Sequence, residues 1–412
     1  MRPRLTARSV PLSGSVSLAA FAGEDGFLWQ QEHHGMAGRG EAMRIDLPRG
    51  LGHPGAAEPV LECLRSIEPD ASAPHGVAPV AFGALPFDPA APASLVVPRR
   101  LVQVLGDGSA WLTTVAPAGE AGDERDAMAA PVTGSAELAP DGFELSSPRS
   151  HQQWTGAISD AIAAIDRGEL TKVVVAREVV VRANRDISVA DVAARLHALY
   201  PSCYVFAMGG FVGASPELLV HRQGCTVRSQ PLAGTYPRSG DATADAELAA
   251  EMFSSAKERH EHRVVIDNLQ AALGPLCHVL SVPDRPSVMA LRNVVHLSTD
   301  IRGMLCEPAP SALELAARLH PTPAVAGTPT ADALAWLAAN EQLDRGSYAG
   351  PVGWMDAAGD GEWALGIRSA LIDGPTARLF AGVGIVAGSD PARELAETQL
   401  KLQALLAALV RP

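Results

Sequence analysis

At 412 residues the chain has room for two or three domains of roughly 150 residues each. With 47% hydrophobic and 19% charged residues it reads as globular, which excludes collagen, long coiled coil and bulk disorder. A net charge of −13 repels phosphate backbones and argues against nucleic-acid binding, and five scattered cysteines (Cys63, Cys203, Cys225, Cys277, Cys306) without a CxxC argue against a disulfide framework or structural zinc.

Arg2, Arg4 and Arg8 are followed by no apolar run of signal-peptide length, because Pro11, Ser13, Gly14 and Ser15 interrupt it. Nothing approaches the ~18–20 apolar residues of a membrane span. The expectation is a soluble cytoplasmic protein. Through residue 110, short apolar segments such as Phe27-Leu28-Trp29, 78–82 and 95–98 alternate with turn chemistry, as in an antiparallel sheet. Residues 117–148 are rich in Ala, Gly, Pro and acids and read as a surface loop. Residues 1–148 are therefore taken as the N-terminal portion of one fold, and 149–412 as its catalytic region.

Ile158, Ile162 and Ile165 stand at helical spacing between Trp154 and Leu170, with Gly168 near the end. Residues 172–181 form a β-branched strand. Residues 204–207 and 211–213 suggest a hairpin, and 244–273 is one long helical window free of Pro and Gly. Two more strands, 363–372 and 378–386, precede a final helix opened by Asp390-Pro391. Neighbouring strands without regular helical crossovers predict an antiparallel α+β architecture rather than a Rossmann sheet.

Two acid pairs carry the strongest chemical signal. Glu258 and Glu261 lie three apart in Lys257-Glu258-Arg259-His260-Glu261-His262, and Glu394 and Glu397 lie three apart on the final helix. Residues at i and i+3 share a helix face, so two such helices can offer oxygens to a hard divalent cation, one Glu per pair directly and the other through water. Spacing alone favours solvated helix faces over such a site. Lys401, four after Glu397, fits an i,i+4 surface pair or a contact to a ligand carboxylate. His260-Glu261-His262 lacks the second histidine of HExxH, since position 264 is Val264. Gly382-Val383-Gly384-Ile385-Val386-Ala387-Gly388 has one residue too many for GxGxxG, and too little chain follows it for a dinucleotide fold.

Several ordered motifs then converge. They are Pro231-Leu232-Ala233-Gly234-Thr235, 255–262, His320-Pro321-Thr322-Pro323-Ala324-Val325-Ala326-Gly327, Asp344-Arg345-Gly346, Gly350-Pro351-Val352-Gly353-Trp354, Gly361-Glu362-Trp363 with Ile367-Arg368, and 381–386. Together they resemble the chorismate-utilising enzymes, densely over 150–410 and weakly before that, and the isochorismate synthases in particular. The resemblance implies two α/β subdomains with large antiparallel sheets inside, helices outside and the active site in a cleft. It also implies chorismate as substrate, Mg2+ held by Glu258, Glu261, Glu394 and Glu397 with Glu261 and Glu397 as direct ligands, and a monomer.

Isochorismate formation adds water at C2 and expels the C4 hydroxyl, which takes a base and an acid. Lys172 matches the family's base, and a lysine works as a base only when unprotonated, a state that burial and nearby cations favour. Glu217, in Gly213-Ala214-Ser215-Pro216-Glu217-Leu218-Leu219, matches the acid. Arg368 and Tyr348 match positions holding the enolpyruvyl carboxylate, and Lys401 a contact to the ring carboxylate. Gly234, Thr235, Gly382 and Gly384 would line the pocket. His296 matches a pocket histidine, or is a satisfied core histidine. Ala233 replaces the nucleophilic lysine of aminodeoxychorismate synthases, and Lys172 separates the chain from the ammonia-using anthranilate synthases. Salicylate synthases share Lys172 and Glu217. Ala324, Ile367 and Phe380 resemble the isochorismate branch, and Tyr348 the salicylate branch. Isochorismate feeds menaquinone or siderophore synthesis, and the sequence leaves both open.

Overall fold

The computed structural model describes residues 4–119, 139–238 and 240–410. Strands and helices are each numbered in chain order. One antiparallel sheet of twelve strands runs β1 (Leu5–Leu12), β8 (Ala110–Pro117), β7 (Arg100–Val104), β3 (His34–Arg39), β2 (Phe27–Gln31), β11 (Tyr204–Met208), β12 (Phe211–Ser215), β23 (Ser369–Asp373), β24 (Thr376–Ile385), β10 (Lys172–Ala183) and β20 (Gly327–Thr328), with β9 (Phe143–Ser146) along the second half of β10. A second sheet of nine runs β16 (Cys277–Ser281), β19 (Ile301–Leu305), β14 (Thr226–Gln230), β13 (Leu218–Gln223), β22 (Gly361–Leu365), β21 (Pro351–Asp356), β5 (Val80–Ala84), β6 (Ala93–Val97) and β4 (Met43–Leu47). A small third sheet holds β15 (Leu232–Pro237), β18 (Val294–Ser298) and β17 (Ser287–Ala290).

The two large sheets meet across an apolar layer that includes Trp29, Phe82, Leu101, Phe206, Leu218 and Ala364. Helices cover the outsides. On the first sheet α1 (Leu18–Ala22), α4 (Val189–Leu199) and α9 (Pro391–Val410) contribute Leu18, Leu196 and Leu405 to one core. A larger core takes Val60 from α2 (Glu58–Arg65), Ile158 from α3 (His151–Asp166), Leu269 from α6 (Ala256–Leu273), Leu315 from α7 (Ala312–Leu319) and Leu337 from α8 (Thr330–Asn340). Each such side chain, fully buried, stabilises by roughly 1.5–3 kcal/mol. The architecture is the antiparallel α+β arrangement that the strand pattern predicts.

Three local expectations change. The window 244–273 is two helices, α5 (Ala242–Ser254) and α6, because Ser255 leaves the helical region and its hydroxyl accepts the Glu258 N–H as an N-cap. The stretch 363–372 is two strands in two sheets, β22 and β23, joined by Gly366-Ile367-Arg368. Of the loop at 117–148, Phe143–Ser146 is strand β9, paired with β10, and 120–138 lie outside the described residues.

Candidate active site

The crossing from β22 to β23 places Arg368 on the wall of a cavity. Arg368 sits at φ 51, in the left-handed region that non-glycine residues avoid at a cost of order 1–3 kcal/mol. Its carbonyl accepts the Ala214 N–H at 3.1 Å, and Gly213 permits the approach, since a Cβ there would come 2.9 Å from that carbonyl. The backbone is thus pinned and the guanidinium points into the cavity. Among the described residues no carboxylate forms an ion pair with Arg368, so a half-buried cation lines the cavity without a paired anion.

The cavity encloses about 790 Å³ including its open mouth. Its walls bring together Lys172, Glu217, Gly234, Thr235, Glu261, His296, Ala324, Tyr348, Arg368, Gly382, Gly384, Glu397 and Lys401. Of the residues singled out in the sequence, only Glu258 and Glu394 stand behind the wall.

Lys172 opens β10 and is 1% exposed, and its Nζ meets Glu261 Oε1 at 2.8 Å. Register pairs Val174 with Gly384 and Ala176 with Gly382 on β24. A Cβ on Gly384 would overlap Glu261 Oε1, so glycine there lets α6 bring its carboxylate to the lysine. Past Leu379, β23 no longer pairs with β24, and Lys401 Nζ donates to the Gly382 carbonyl at 2.8 Å while meeting Glu397 Oε1 at 2.7 Å. The i,i+4 pair with Glu397 therefore forms, and the same side chain lines the cavity.

Glu217 lies buried in the corner between β12 and β13. Burial pushes its carboxyl up to about 7, against the opposing pull of the Leu232 N–H, Lys172, Lys401 and Arg368. Tyr348 stacks on Phe380 with centroids 5.1 Å apart, and burial pushes its phenol up to about 12, so it stays a neutral donor.

Burial likewise lifts Glu258 to about 7, with the neighbouring Glu261 charge adding to the shift. Glu394 is raised by burial although Lys257 Nζ lies 2.9 Å from its Oε1. Burial opposes ionisation of Glu261 too, but Lys172, Lys401 and Lys257 hold its carboxyl below the ordinary value. Among the described residues no three acidic, histidine or cysteine side chains converge at metal-binding distance. The donors nonetheless suit a hard cation: all are carboxylate oxygens, two reach the cavity, and Glu258 is crowded by like charge that a cation would relieve.

The other motifs resolve simply. His262 Nε2 hydrogen-bonds the Thr299 hydroxyl at 2.7 Å, and His260 is exposed, so the two histidines do not share a ligand. Gly382 and Gly384 lie within strand β24, not in a turn ahead of a helix, so they form no dinucleotide loop.

The family model described as "Chorismate binding enzyme" matches residues 10–410. The chain belongs to that family. The chorismate-binding match reaches well beyond the dense 150–410 stretch, over nearly the whole N-terminal portion. The chain is 38% identical over 342 residues to an isochorismate synthase of Bacillus subtilis, covering 80% of this chain and 81% of that protein. A putative 2,3-dihydroxybenzoate-specific isochorismate synthase from Bacillus anthracis superposes with a TM-score of 0.79 at 34% identity, over 94% of this chain and 96% of that one. The menaquinone-specific isochorismate synthase of Escherichia coli superposes with a TM-score of 0.83 at 27% identity, over 99% and 95%.

Sequence reasoning passed over one buried ion pair. Arg345 bonds Glu341 through Nε at 2.7 Å, the Val174 carbonyl through Nη2 at 2.7 Å and the Val325 carbonyl through Nη1 at 2.9 Å, while Glu341 Oε1 accepts the Ala176 N–H. The pair braces the cavity wall behind Lys172. Asp344-Arg345-Gly346 marked the place, but nothing in it signalled burial.

Proposed function

We propose that the chain is an isochorismate synthase that isomerises chorismate to isochorismate with Mg2+. The observation that carries this is one cavity holding three complementary groups: a buried lysine, a carboxyl pushed up to about 7 and an arginine with no carboxylate ion pair among the described residues. The likeness to isochorismate synthases over four fifths of the chain supports it.

In this reading Arg368 receives the enolpyruvyl carboxylate by a charge-assisted fork, with the Tyr348 hydroxyl as a neutral donor beside it. Lys401 meets the ring carboxylate. Lys172 takes a proton from the water whose oxygen bonds to C2. The ring double bonds shift, the C4–O bond breaks, and Glu217 gives its proton to the departing hydroxyl, which leaves as water. Lys172 and Glu217 exchange protons with solvent to reset. Glu261 and Glu397 would hold Mg2+ directly, with Glu258 and Glu394 behind them. When bound, the ion supplies positive charge that offsets these carboxylates and the substrate's own. Glu261 must leave Lys172 before that amine can act, so the 2.8 Å pair describes a resting arrangement.

Tyr348 on the cavity wall favours a second reading, salicylate synthase, in which pyruvate is then eliminated. Chromatography of products from chorismate and Mg2+ separates the two. Isochorismate supports the proposal, and prompt salicylate with pyruvate replaces it. Relatives named as 2,3-dihydroxybenzoate-specific and menaquinone-specific are both similar to this chain, so the comparisons single out neither pathway.

A further inference from the structure

We propose that His296 is a positioning residue for Arg368, a neutral imidazole anchored on the Gly234 carbonyl that aims the guanidinium at the substrate carboxylate. The inference rests on the reading that Arg368 receives that carboxylate.

Two hydrogen bonds on the imidazole carry the argument. His296 Nδ1 lies 2.6 Å from the Gly234 carbonyl oxygen, and Nε2 lies 3.3 Å from Arg368 Nη2. A carbonyl only accepts, so Nδ1 bears the proton. A guanidinium only donates, so Nε2 is bare and accepts. The two partners therefore fix one tautomer between them. Burial, with the adjacent Arg368 charge, pushes His296 down to about 3, so the ring stays neutral across the working range.

Both ring nitrogens are committed, which leaves neither for proton transfer to substrate. The guanidinium needs such a guide. Its backbone is pinned at the sheet crossing, but an arginine side chain carries about 2 kcal/mol of rotamer entropy. Among the described residues His296 is the one side chain within hydrogen-bond distance of it. Gly234 has its own constraint: φ is 67, and a Cβ there would come 2.8 Å from Glu258 Oε2. The strand β15 that anchors the imidazole thus also abuts the glutamate helix α6, so Arg368 is aimed from the same strand that packs on the proposed metal cradle.

The two contacts can be separated by substitution. An asparagine amide reaches the Nδ1 position and keeps the Gly234 bond, whereas a glutamine amide reaches the Nε2 position and keeps an acceptor for Arg368. With chorismate and Mg2+, His296→Asn is expected to raise KM about tenfold with kcat within about threefold, and His296→Gln to recover most of the loss. An unchanged KM in His296→Asn, a glutamine variant as poor as the asparagine one, or a fall in kcat alone would each overturn the assignment. If the wild-type chain does not turn chorismate over, the proposed function fails, and the relay is then judged by a second measurement that needs neither variant kinetics nor turnover. Nitrogen-15 NMR of the histidine-labelled chain, with His296 assigned by its loss in His296→Gln, should show the neutral Nδ1–H tautomer at pH 7. An Nε2–H tautomer or an imidazolium would overturn it.

Discussion

Glu217 takes its chemistry from its surroundings. The residue type gives a carboxyl near 4.5, and the enclosed corner between β12 and β13 lifts it to about 7. An acid lifted in this way keeps its proton below about 7 and gives it up above. Turnover should therefore fall on the alkaline side, approaching tenfold per pH unit, in a kcat–pH profile. Glu217→Gln should abolish that limb and lower kcat by about 10²–10⁴. Lys172→Ala should cost a similar factor, and product formation at the wild-type rate would remove the base from the mechanism. Glu261→Ala should abolish Mg2+-dependent activity and lower Tm, because it strands the 1% exposed Lys172 without its partner, yet the chain should remain folded by circular dichroism. Unaltered Mg2+ dependence would count against Glu261 as a ligand. At this scale the sequence supplied candidates, not states. Spacing favoured Lys401 as an i,i+4 pair and gave no sign of the cavity wall, which the side chain reaches while held between Glu397 and the Gly382 carbonyl.

Elements decide which candidates meet. β10 and β24 bring Lys172 beside Gly384, and α6 adds Glu261 only because position 384 has no side chain. Gly384→Ala would drive a methyl into the Lys172–Glu261 pair. It is expected to cut kcat at least about a hundredfold while changing Tm by only a few degrees, checked by kinetics beside thermal unfolding. Wild-type kinetics in that variant would mean the pair is not where the chemistry occurs. The helices and the β-branched strand were legible because their apolar periodicity is local. The break at Ser255 was not, because a serine N-cap inside a window free of Pro and Gly leaves no gap in the pattern. The crossing at Gly366-Ile367-Arg368 was hidden for a different reason. Both flanking strands are mostly buried, so the apolar residues on either side of Gly366-Ile367-Arg368-Ser369 read as one strand, and the left-handed Arg368 at the break lines the cavity.

Across the whole molecule, burial of ionisable groups sets how stability responds to pH. His262, His296 and His320 are pushed down to about 4, 3 and 4 from 6.5. Their contribution is complete above 6.5 and drains as pH falls toward 4. Glu217 and Glu258, lifted to about 7 from 4.5, act oppositely: the folded chain holds protons that the unfolded chain releases, so they favour folding as pH falls from 7 to 4.5. From 6.5 to 4.5 the two sets oppose each other, with Glu394, also raised by burial, on the side of the carboxyls. Below 4.5 the histidines, each at about 1.4 kcal/mol per pH unit, act together with carboxyls held below their ordinary value, such as Glu261 and Asp300, and all of them lose stability as pH falls. Tm measured with chelator should therefore fall gently to pH 4.5 and steeply below it, and a uniform slope would contradict these buried states. The α+β class and the family were legible from motifs spread along the chain, and the two-sheet sandwich with its cavity was implied by the resemblance rather than by any local pattern. The most direct test of the account is to give the purified chain and Mg2+ either chorismate or isochorismate and follow both acids by chromatography. The account predicts that the two reactions converge on one fixed ratio of chorismate to isochorismate. Accumulation of salicylate and pyruvate from both, or no interconversion with Mg2+ present, would contradict it.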